Sequence, residues 1–299
     1  MTQWLSDFEA HRSYLTNLAY RMLGSVAEAE DVVQDAWLRL QGGDGQGIDN
    51  PRGYLVTVVS RLALDRLKSA RHQREVYIGP WLPEPVLEAP GPGDADMLAR
   101  DVSYALMLAL ERLSPLERAA FLLHDVFDMS FAEVAASLGR SEAGCRQLAS
   151  RARRHVHAAR PRFSVPEEDA ERLADAFFTA SRQGDTAVLS HLLAEGANLH
   201  TDGGGKRPAA LRVIVGADKV CRFYAGLLRK RGSLAARWQQ RSRINGMPGV
   251  LSVEQDGLPQ ATALGIDGGR ITDIYVMRNP AKLRHLHDRI PDWAMIRPH

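Results

Sequence analysis

A chain of 299 residues with 45% apolar and 25% charged side chains has the make-up of an ordinary globular protein and the length for two or three domains. Its two cysteines, Cys145 and Cys221, lie far apart without C-x-x-C neighbours, so neither a disulfide framework nor a zinc site is indicated. The opening MTQWLSDFEAHR lacks the apolar core of a signal peptide and no run reaches the length of a membrane span, so a cytoplasmic chain with no membrane partner and no cofactor is expected.

The net charge of only +2 conceals local charge that changes along the chain. Tyr14, Leu15, Leu18, Ala19, Met22 and Leu23 repeat at helical spacing, and Gly24-Ser25 interrupts them. Ser25 and Glu28 have the S-x-x-E spacing of a capped helix start. The helix that follows carries Glu28, Glu30, Asp31 and Asp35 before its first base, Arg39. Its other face carries Val32, Val33, Ala36, Trp37 and Leu40. After a glycine-rich loop, Asn50-Pro51 opens another helix, because proline suits the first helical position. That helix turns basic, with five bases against one acid between Arg61 and Arg74. This block is read as a helical domain over residues 1–78.

Residues 79–96 form a linker. Five prolines and three glycines within Gly79–Gly93 exclude a helix or a central strand. Trp81-Leu82-Pro83 and Val86-Leu87 are apolar, which a solvated tether avoids, so they either dock on a neighbouring domain or thread along a partner. A second helical domain spans 97–162. It resumes with a helix over 94–113, followed by Ser114-Pro115-Leu116-Glu117, another capped start. Ser130 and Glu133 repeat that box, Gly139 suits a left-handed helix end, and Ser141 with Glu142 starts the next helix. Seven arginines and one glutamate between Arg140 and Arg162 give +6, so two short helices and a tight turn present a basic second helix. A helix-turn-helix offers its second helix to the DNA major groove in this way.

The third domain is placed at 167–290. Amphipathic helices are expected over 167–183 and 185–194, then strands near 197–202, 208–214, 234–244, 249–255, 259–266 and 270–277, with a helix over 216–231. Asn245-Gly246, Asp256-Gly257 and Asp267-Gly268-Gly269 supply the later turns. Helices on one face of an antiparallel sheet make an α+β architecture.

AEDVVQDAWLRL (29–40), NPRGYLVTVVSRLALDRLKSAR (50–71), LSPLERAAFLL (113–123) and the helix-turn-helix together resemble regions 2 and 4 of the extracytoplasmic-function (group IV) sigma-70 family of RNA polymerase sigma factors. WLPEP (81–85), DGGGK (202–206) and NPAKL (279–283) resemble signatures of the sigma-factor group with a fused C-terminal SnoaL-like, or NTF2-like, domain. The resemblance implies a multidomain fold: two all-α sigma domains and a C-terminal α+β cone. It also implies an alternative sigma factor that binds core RNA polymerase through the β′ and β subunits, directs initiation at promoter DNA, and is modulated by its C-terminal domain.

Residue by residue, it places Glu30, Asp31, Gln34, Asp35, Trp37 and Leu38 on core polymerase. Tyr54, Arg61, Asp65, Arg66, Lys68 and Arg71 fall on a −10-like element, where stacking platforms and phosphate neutralisation suit strand opening. Ser141, Glu142, Arg146, Gln147, Ser150, Arg151, Arg153 and Arg154 fall on a −35-like element. Arg146 suits a guanine edge there, and Arg151, Arg153 and Arg154 suit phosphates.

Trp81, Leu82, Pro83, Asp202, Gly203, Gly204, Gly205, Lys206, Asn279, Pro280, Lys282 and Leu283 are the interdomain regulatory positions. The three glycines let the backbone approach another domain closely, with Lys206 as the charged contact. NPAKL departs from its signature at Ala281, where the group usually has an acid. DGGGK lacks the spacing of a phosphate-binding loop.

Two other function classes compete. A cone enzyme needs a carboxylate or histidine facing its interior, for which His191, His200 and Asp202 are the candidates. His285 and His287 are two residues apart on a helix and make a poor metal pair. An ordinary repressor accounts for the helix-turn-helix and leaves the block before the linker unexplained. A small-molecule or protein signal at the C-terminal domain is the remaining partner class.

Overall fold

A computed structural model describes residues 2–41, 50–75, 77–88, 103–157 and 165–291. The chain divides into two compact units: Met1–Val76 with Ala89–Arg160, and Tyr77–Glu88 with Pro161–His299.

In the helical unit, α1 (Thr2–Leu23) ends at Gly24 with φ 73°, and Ser25 Oγ accepts from the Glu28 N–H at 3.2 Å to start α2 (Val26–Arg39). Asn50 Oδ1 accepts from the Gly53 N–H at 2.9 Å and Pro51 opens α3 (Pro51–Glu75). Leu15, Leu18 and Met22 of α1, Val32 and Ala36 of α2, and Leu55 and Val59 of α3 are fully buried together.

Of the helix expected over 94–113, the described part is α4 (Tyr104–Glu111); residues 94–102 lie outside the described residues. Of the three expected S-x-x-E starts, full capping boxes form at Ser114/Glu117 ahead of α5 (Pro115–Phe121) and at Ser130/Glu133 ahead of α6 (Phe131–Leu138). α5 continues as a wide π turn through Leu122–Val126. Gly139 adopts φ 62° and ends α6, and α7 (Glu142–His157) follows.

Arg118 holds this unit together from inside. Its side chain is buried, donating Nη1–H to the Met22 carbonyl (2.5 Å) and Nε–H to the Leu110 carbonyl (2.9 Å), and pairing with Glu111 at 2.7 Å. One guanidinium thus serves the C-terminal ends of α1 and α4, where helix carbonyls lack partners and negative potential collects.

In the second unit, α8 (Glu167–Gln183) ends on Gly184 with φ 67°, Asp185 caps α9 (Thr186–Leu192), and β1 (Leu193–Asp202) follows. Then come β2 (Ile214–Val215), α10 (Ala217–Arg231), β3 (Trp238–Ile244), β4 (Met247–Val253), β5 (Pro259–Asp267) and β6 (Arg270–Met277). Asn245 and Gly246 both have positive φ, at 51° and 71°, as a tight hairpin turn requires. Phe177, Leu189, Leu199, Val220, Leu264 and Ile274 centre the core.

The architecture is α+β, with two corrections. The sheet, ordered β2-β1-β6-β5-β4-β3, is mixed, because β1 and β6 pair in parallel. The chain between them contains α10 and the β3–β5 meander, long enough to return in the same direction. The strand expected over 208–214 reduces to Ile214–Val215: Pro208 has no N–H to give a ladder, and Leu211 is 70% exposed.

Candidate polymerase, promoter and regulatory surfaces

On α2 the buried residues Ala29, Val32, Val33 and Ala36 leave Glu30, Asp31, Gln34 and Leu38 facing solvent. Leu38 is 55% exposed, the one large apolar side chain of this helix offered to water. Trp37 turns partly inward and packs on Phe8 with ring centres 4.7 Å apart. Asp31 and Asp35 both pair with Arg66 of α3, at 3.4 and 3.0 Å. A base assigned to promoter DNA therefore neutralises carboxylates assigned to polymerase.

The other −10-like residues are distributed along α3. Tyr54 is half-buried, and Asp65 and Lys68 are exposed and paired at 2.9 Å. Arg61 donates to the carbonyls of Ser137 (3.2 Å) and Ala136 (3.4 Å), at the end of the first helix of the helix-turn-helix. The Arg71 side chain lies outside the described residues.

α7 buries Cys145, Ala149, Ala152 and Val156 and exposes Glu142, Arg146, Gln147, Ser150 and Arg154. Ser141 Oγ accepts from the Gly144 N–H at 3.2 Å, so its hydroxyl caps the helix. Arg146 pairs with Glu142 at 2.6 Å and lies 5.0 Å over the Phe131 ring. The remaining arginines divide. Arg151 pairs with Glu117 at 3.1 Å and Arg153 with Asp125 at 2.6 Å, which ties them to the preceding helices. Arg154 is exposed without a side-chain partner among the described residues.

The Ser130 box sets the entry angle of this motif. Its hydrogen bonds to the Glu133 carboxylate, side chain first and then backbone, hold that group below its usual pKa. A depressed carboxylate contributes stability above its ordinary pKa and loses it as the pH falls. Ser130→Ala is expected to cost about 1 kcal/mol at neutral pH, with the deficit shrinking as the carboxylate protonates; urea midpoints at about pH 7 and about pH 3.5 check both.

In the second unit the three signature segments meet around Asp202, which is fully buried. Its Oδ1 accepts from the Tyr77 hydroxyl at 2.5 Å. Its Oδ2 accepts from the Leu82 N–H (2.9 Å) and from Lys282 Nζ (2.8 Å). Lys282 Nζ also donates to the Leu82 carbonyl at 2.5 Å and lies 4.8 and 4.3 Å from the Tyr77 and Trp81 ring centres. Asn279 caps the 3-10 segment Pro280–Arg289 and donates Nδ2–H to the Tyr77 oxygen at 2.8 Å. Burial, then the Asp202 carboxylate, push the Tyr77 hydroxyl above the ordinary tyrosine range.

Residues 77–88 continue along the domain. His285 Nε2 meets the Pro85 carbonyl at 2.7 Å, Asn245 exchanges two hydrogen bonds with Val86, and Leu87 bridges Ile244 of β3. Leu82 and Val86 are buried, as are Pro83 and Leu283. Docking, one of the two readings of the apolar linker, is therefore how this segment sits.

Gly204 and Gly205 are closely approached by residues of their own unit. A Cβ at Gly204 would lie 2.2 Å from Asn279 Nδ2, and one at Gly205 would lie 2.9 Å from Ile78 Cδ1. Lys206 is exposed and its ammonium has no partner among the described residues. The buried ammonium is Lys282. Ala281 is half-buried and joins the cluster only by donating its N–H to Asn279 Oδ1 at 3.1 Å.

The candidate acid–base residues are committed elsewhere. His200 meets Asp273 at 3.3 Å and stacks on Tyr275, His191 sits on the surface against the Ala187 carbonyl, and Asp202 holds the linker. Among the described residues no group of three His, Cys, Asp or Glu could hold a metal ion, and no helix is long and apolar enough to cross a membrane.

Family models for sigma-70 region 2 and sigma-70 region 4 match residues 8–73 and 103–156. The chain is 42% identical over 289 residues to the ECF RNA polymerase sigma factor SigJ of Mycobacterium tuberculosis, covering 93% of this chain and 92% of that one. It is 30% identical over 219 residues to SigG of the same organism, covering 62% and 59%. The crystal structure of Mycobacterium tuberculosis SigJ superposes with a TM-score of 0.77 at 39% identity, covering 94% of this chain and 98% of that one. Two helical blocks, a helix-turn-helix and near full-length similarity lead to one assignment: the chain belongs to the extracytoplasmic-function RNA polymerase sigma factors, which are transcription initiation factors and not enzymes.

Proposed function

We propose that this sigma factor works in the cytoplasm through three surfaces of its helical unit, under control of a C-terminal unit that holds residues 77–88. The observation that carries the regulatory reading is the buried Asp202–Lys282 pair closing on Tyr77 and Leu82. Those residues belong to the stretch of chain that joins the region-2 and region-4 blocks. A fused domain acts on such a stretch at high effective concentration, and whatever favours the released or the held form shifts the population between them.

The polymerase surface is the exposed face of α2, with Glu30, Gln34 and Leu38 presented and Asp31 and Asp35 available once Arg66 lets go. Those pairs are partly exposed and inexpensive to break. Replacing both Asp31 and Asp35 by lysine is expected to weaken binding to core polymerase at least about tenfold. Helical circular dichroism is expected to stay unchanged. Unchanged affinity in a fluorescence-anisotropy titration would remove α2 from the interface.

Arg61, Asp65, Arg66 and Lys68, with Tyr54 and Arg71, form the −10-like surface, and Arg61 must leave the carbonyls of Ser137 and Ala136 to reach DNA. On α7, Arg146, Gln147, Ser150 and Arg154 face the upstream element, with Ser141 and Glu142 at its N-terminal end. Arg151 and Arg153 buttress the motif through Glu117 and Asp125. Arg146→Ala is expected to cost about 1–3 kcal/mol and to relax preference at one base position, whereas Arg154→Ala weakens all sequences alike and flattens the salt dependence. Binding to a randomised promoter library distinguishes them; identical base profiles for wild type and Arg146→Ala would exclude base readout by that arginine.

A further inference from the structure

The C-terminal unit contains a cavity of about 450 Å³ that the sigma-factor role does not use. That volume falls within the range of small-molecule sites, about 300–1,000 Å³. Its body is aromatic and aliphatic, built by Phe177 and Phe178 of α8 and by Phe223, Tyr224 and Leu227 of α10. Phe223, Tyr224 and Leu227 are only partly buried, so apolar surface is open to an occupant. Burial pushes the Tyr224 hydroxyl above its ordinary pKa, in keeping with a dry wall.

The charged lining is one-sided. Four cations, Arg182, Lys230, Arg231 and Arg278, face a single carboxylate, Glu254. Glu254 is fully committed: Arg182 grips it through two bonds of 2.6 and 2.8 Å, and Ser252 Oγ donates to it at 2.7 Å. Lys230 and Arg231 have no acidic partner among the described residues and end α10, where the helix dipole already favours cations. Arg278 is 7% exposed; its Nη atoms donate to the Pro208 carbonyl and Asp256, and its buried Nε has no hydrogen-bond acceptor. A buried donor left unsatisfied is destabilising, and an anionic occupant drawing the guanidinium inward relieves it.

We propose that this cavity is a binding site for a small organic anion, an apolar, ring-sized body carrying one carboxylate or sulfonate-like head. The head pairs with Lys230, Arg231 and Arg278, and the body packs on Phe177, Phe223 and Tyr224. The site binds and does not catalyse, since its one carboxylate is tied in a bidentate pair and no histidine lines it. It abuts the linker clasp. Thr201 and Arg278 line the cavity, each is the sequence neighbour of a clasp residue (Asp202 and Asn279), and the Arg278 N–H donates to the Asp202 carbonyl at 2.7 Å. An occupant that moves Arg278 therefore pulls on the residues holding segment 77–88.

Two probes that differ in charge test the site on the full chain: 8-anilinonaphthalene-1-sulfonate and its neutral counterpart N-phenyl-1-naphthylamine, titrated by fluorescence. The expected result is one saturable site with at least about tenfold tighter binding of the sulfonate, the size of one good charge contact. Changing both Lys230 and Arg231 to glutamine, at positions that support no core, is expected to erase that preference and leave the neutral probe unaffected. Leu227→Trp, which fills the cavity, is expected to abolish both. No saturable binding, equal affinities for the two probes, or sulfonate binding indifferent to both variants would overturn the proposal. Titration reads the cavity alone, so its outcome is separate from any effect on transcription.

Discussion

Asp202→Ala is expected to free residues 77–88 from the C-terminal unit and to cost that unit about 3–5 kcal/mol, the range for removing one partner of a buried ion pair. The substitution strips a carboxylate with no exposed side-chain surface from three donors at once: the Lys282 ammonium, the Leu82 N–H and the Tyr77 hydroxyl. Lys282 keeps the Leu82 carbonyl and two aromatic faces, so its charge remains buried after its carboxylate partner is removed. Loss is capped by the docking energy of the segment, because once 77–88 leaves, the lysine reaches water.

Hydrogen exchange separates the two outcomes. The Leu82 and Val86 amides are expected to exchange as in an open chain while the amides of β4 and β5 stay protected. Pairing Asp202→Leu with Lys282→Met removes both charges together and is expected to recover part of the loss. The Tyr77 contribution is complete at neutral pH and fades as the pH rises above the ordinary tyrosine range, because its raised pKa favours the neutral hydroxyl that donates to Asp202.

Arg118→Ala carries the second large effect, again about 3–5 kcal/mol, this time in the helical unit. It removes the donor that reaches the Met22 carbonyl, one of the donors to the Leu110 carbonyl, which keeps the Leu113 N–H, and the guanidinium that pairs with Glu111. Arg118→Lys is expected to recover little, because a point charge on a flexible stem cannot serve two carbonyls and a carboxylate in the fork geometry of a guanidinium. Thermal unfolding followed by circular dichroism at 222 nm is the check. A Lys variant as stable as wild type would show that charge alone, without geometry, holds the two helix ends.

What was legible in the sequence was mostly local. The Ser114 and Ser130 boxes, the left-handed end at Gly139 and the Asn245-Gly246 turn depend on residues within one turn of each other, and all formed where the spacing put them. The α7 face was readable for the same reason. Long-range pairing was not. Nothing near Leu193–Asp202 announces a parallel partner in Arg270–Met277, and nothing near Arg118 announces Met22. The glycine signature read as an approach to another domain, whereas the residues that crowd Gly204 and Gly205 belong to the same unit, and the choice between Lys206 and Lys282 turned on burial, which composition does not encode. Similarly, Arg146, Arg151, Arg153 and Arg154 read alike in the sequence, and the pairs of Arg151 with Glu117 and of Arg153 with Asp125, distant in sequence, were not legible there.

The central claim is that the grip of the C-terminal unit on residues 77–88 sets how this sigma factor initiates. The measurement is run-off transcription by core RNA polymerase from a promoter selected by the wild-type chain. Wild type is compared with Gly204→Val, Asp202→Ala and a chain truncated after Pro166. Gly204→Val acts from outside the ion pair, since even its Cβ would lie 2.2 Å from Asn279 Nδ2. The account predicts that all three change transcript yield at least about fivefold in the same direction, the lower bound of a typical coupling energy, with polymerase affinity retained. Yields equal to wild type across all three would contradict it.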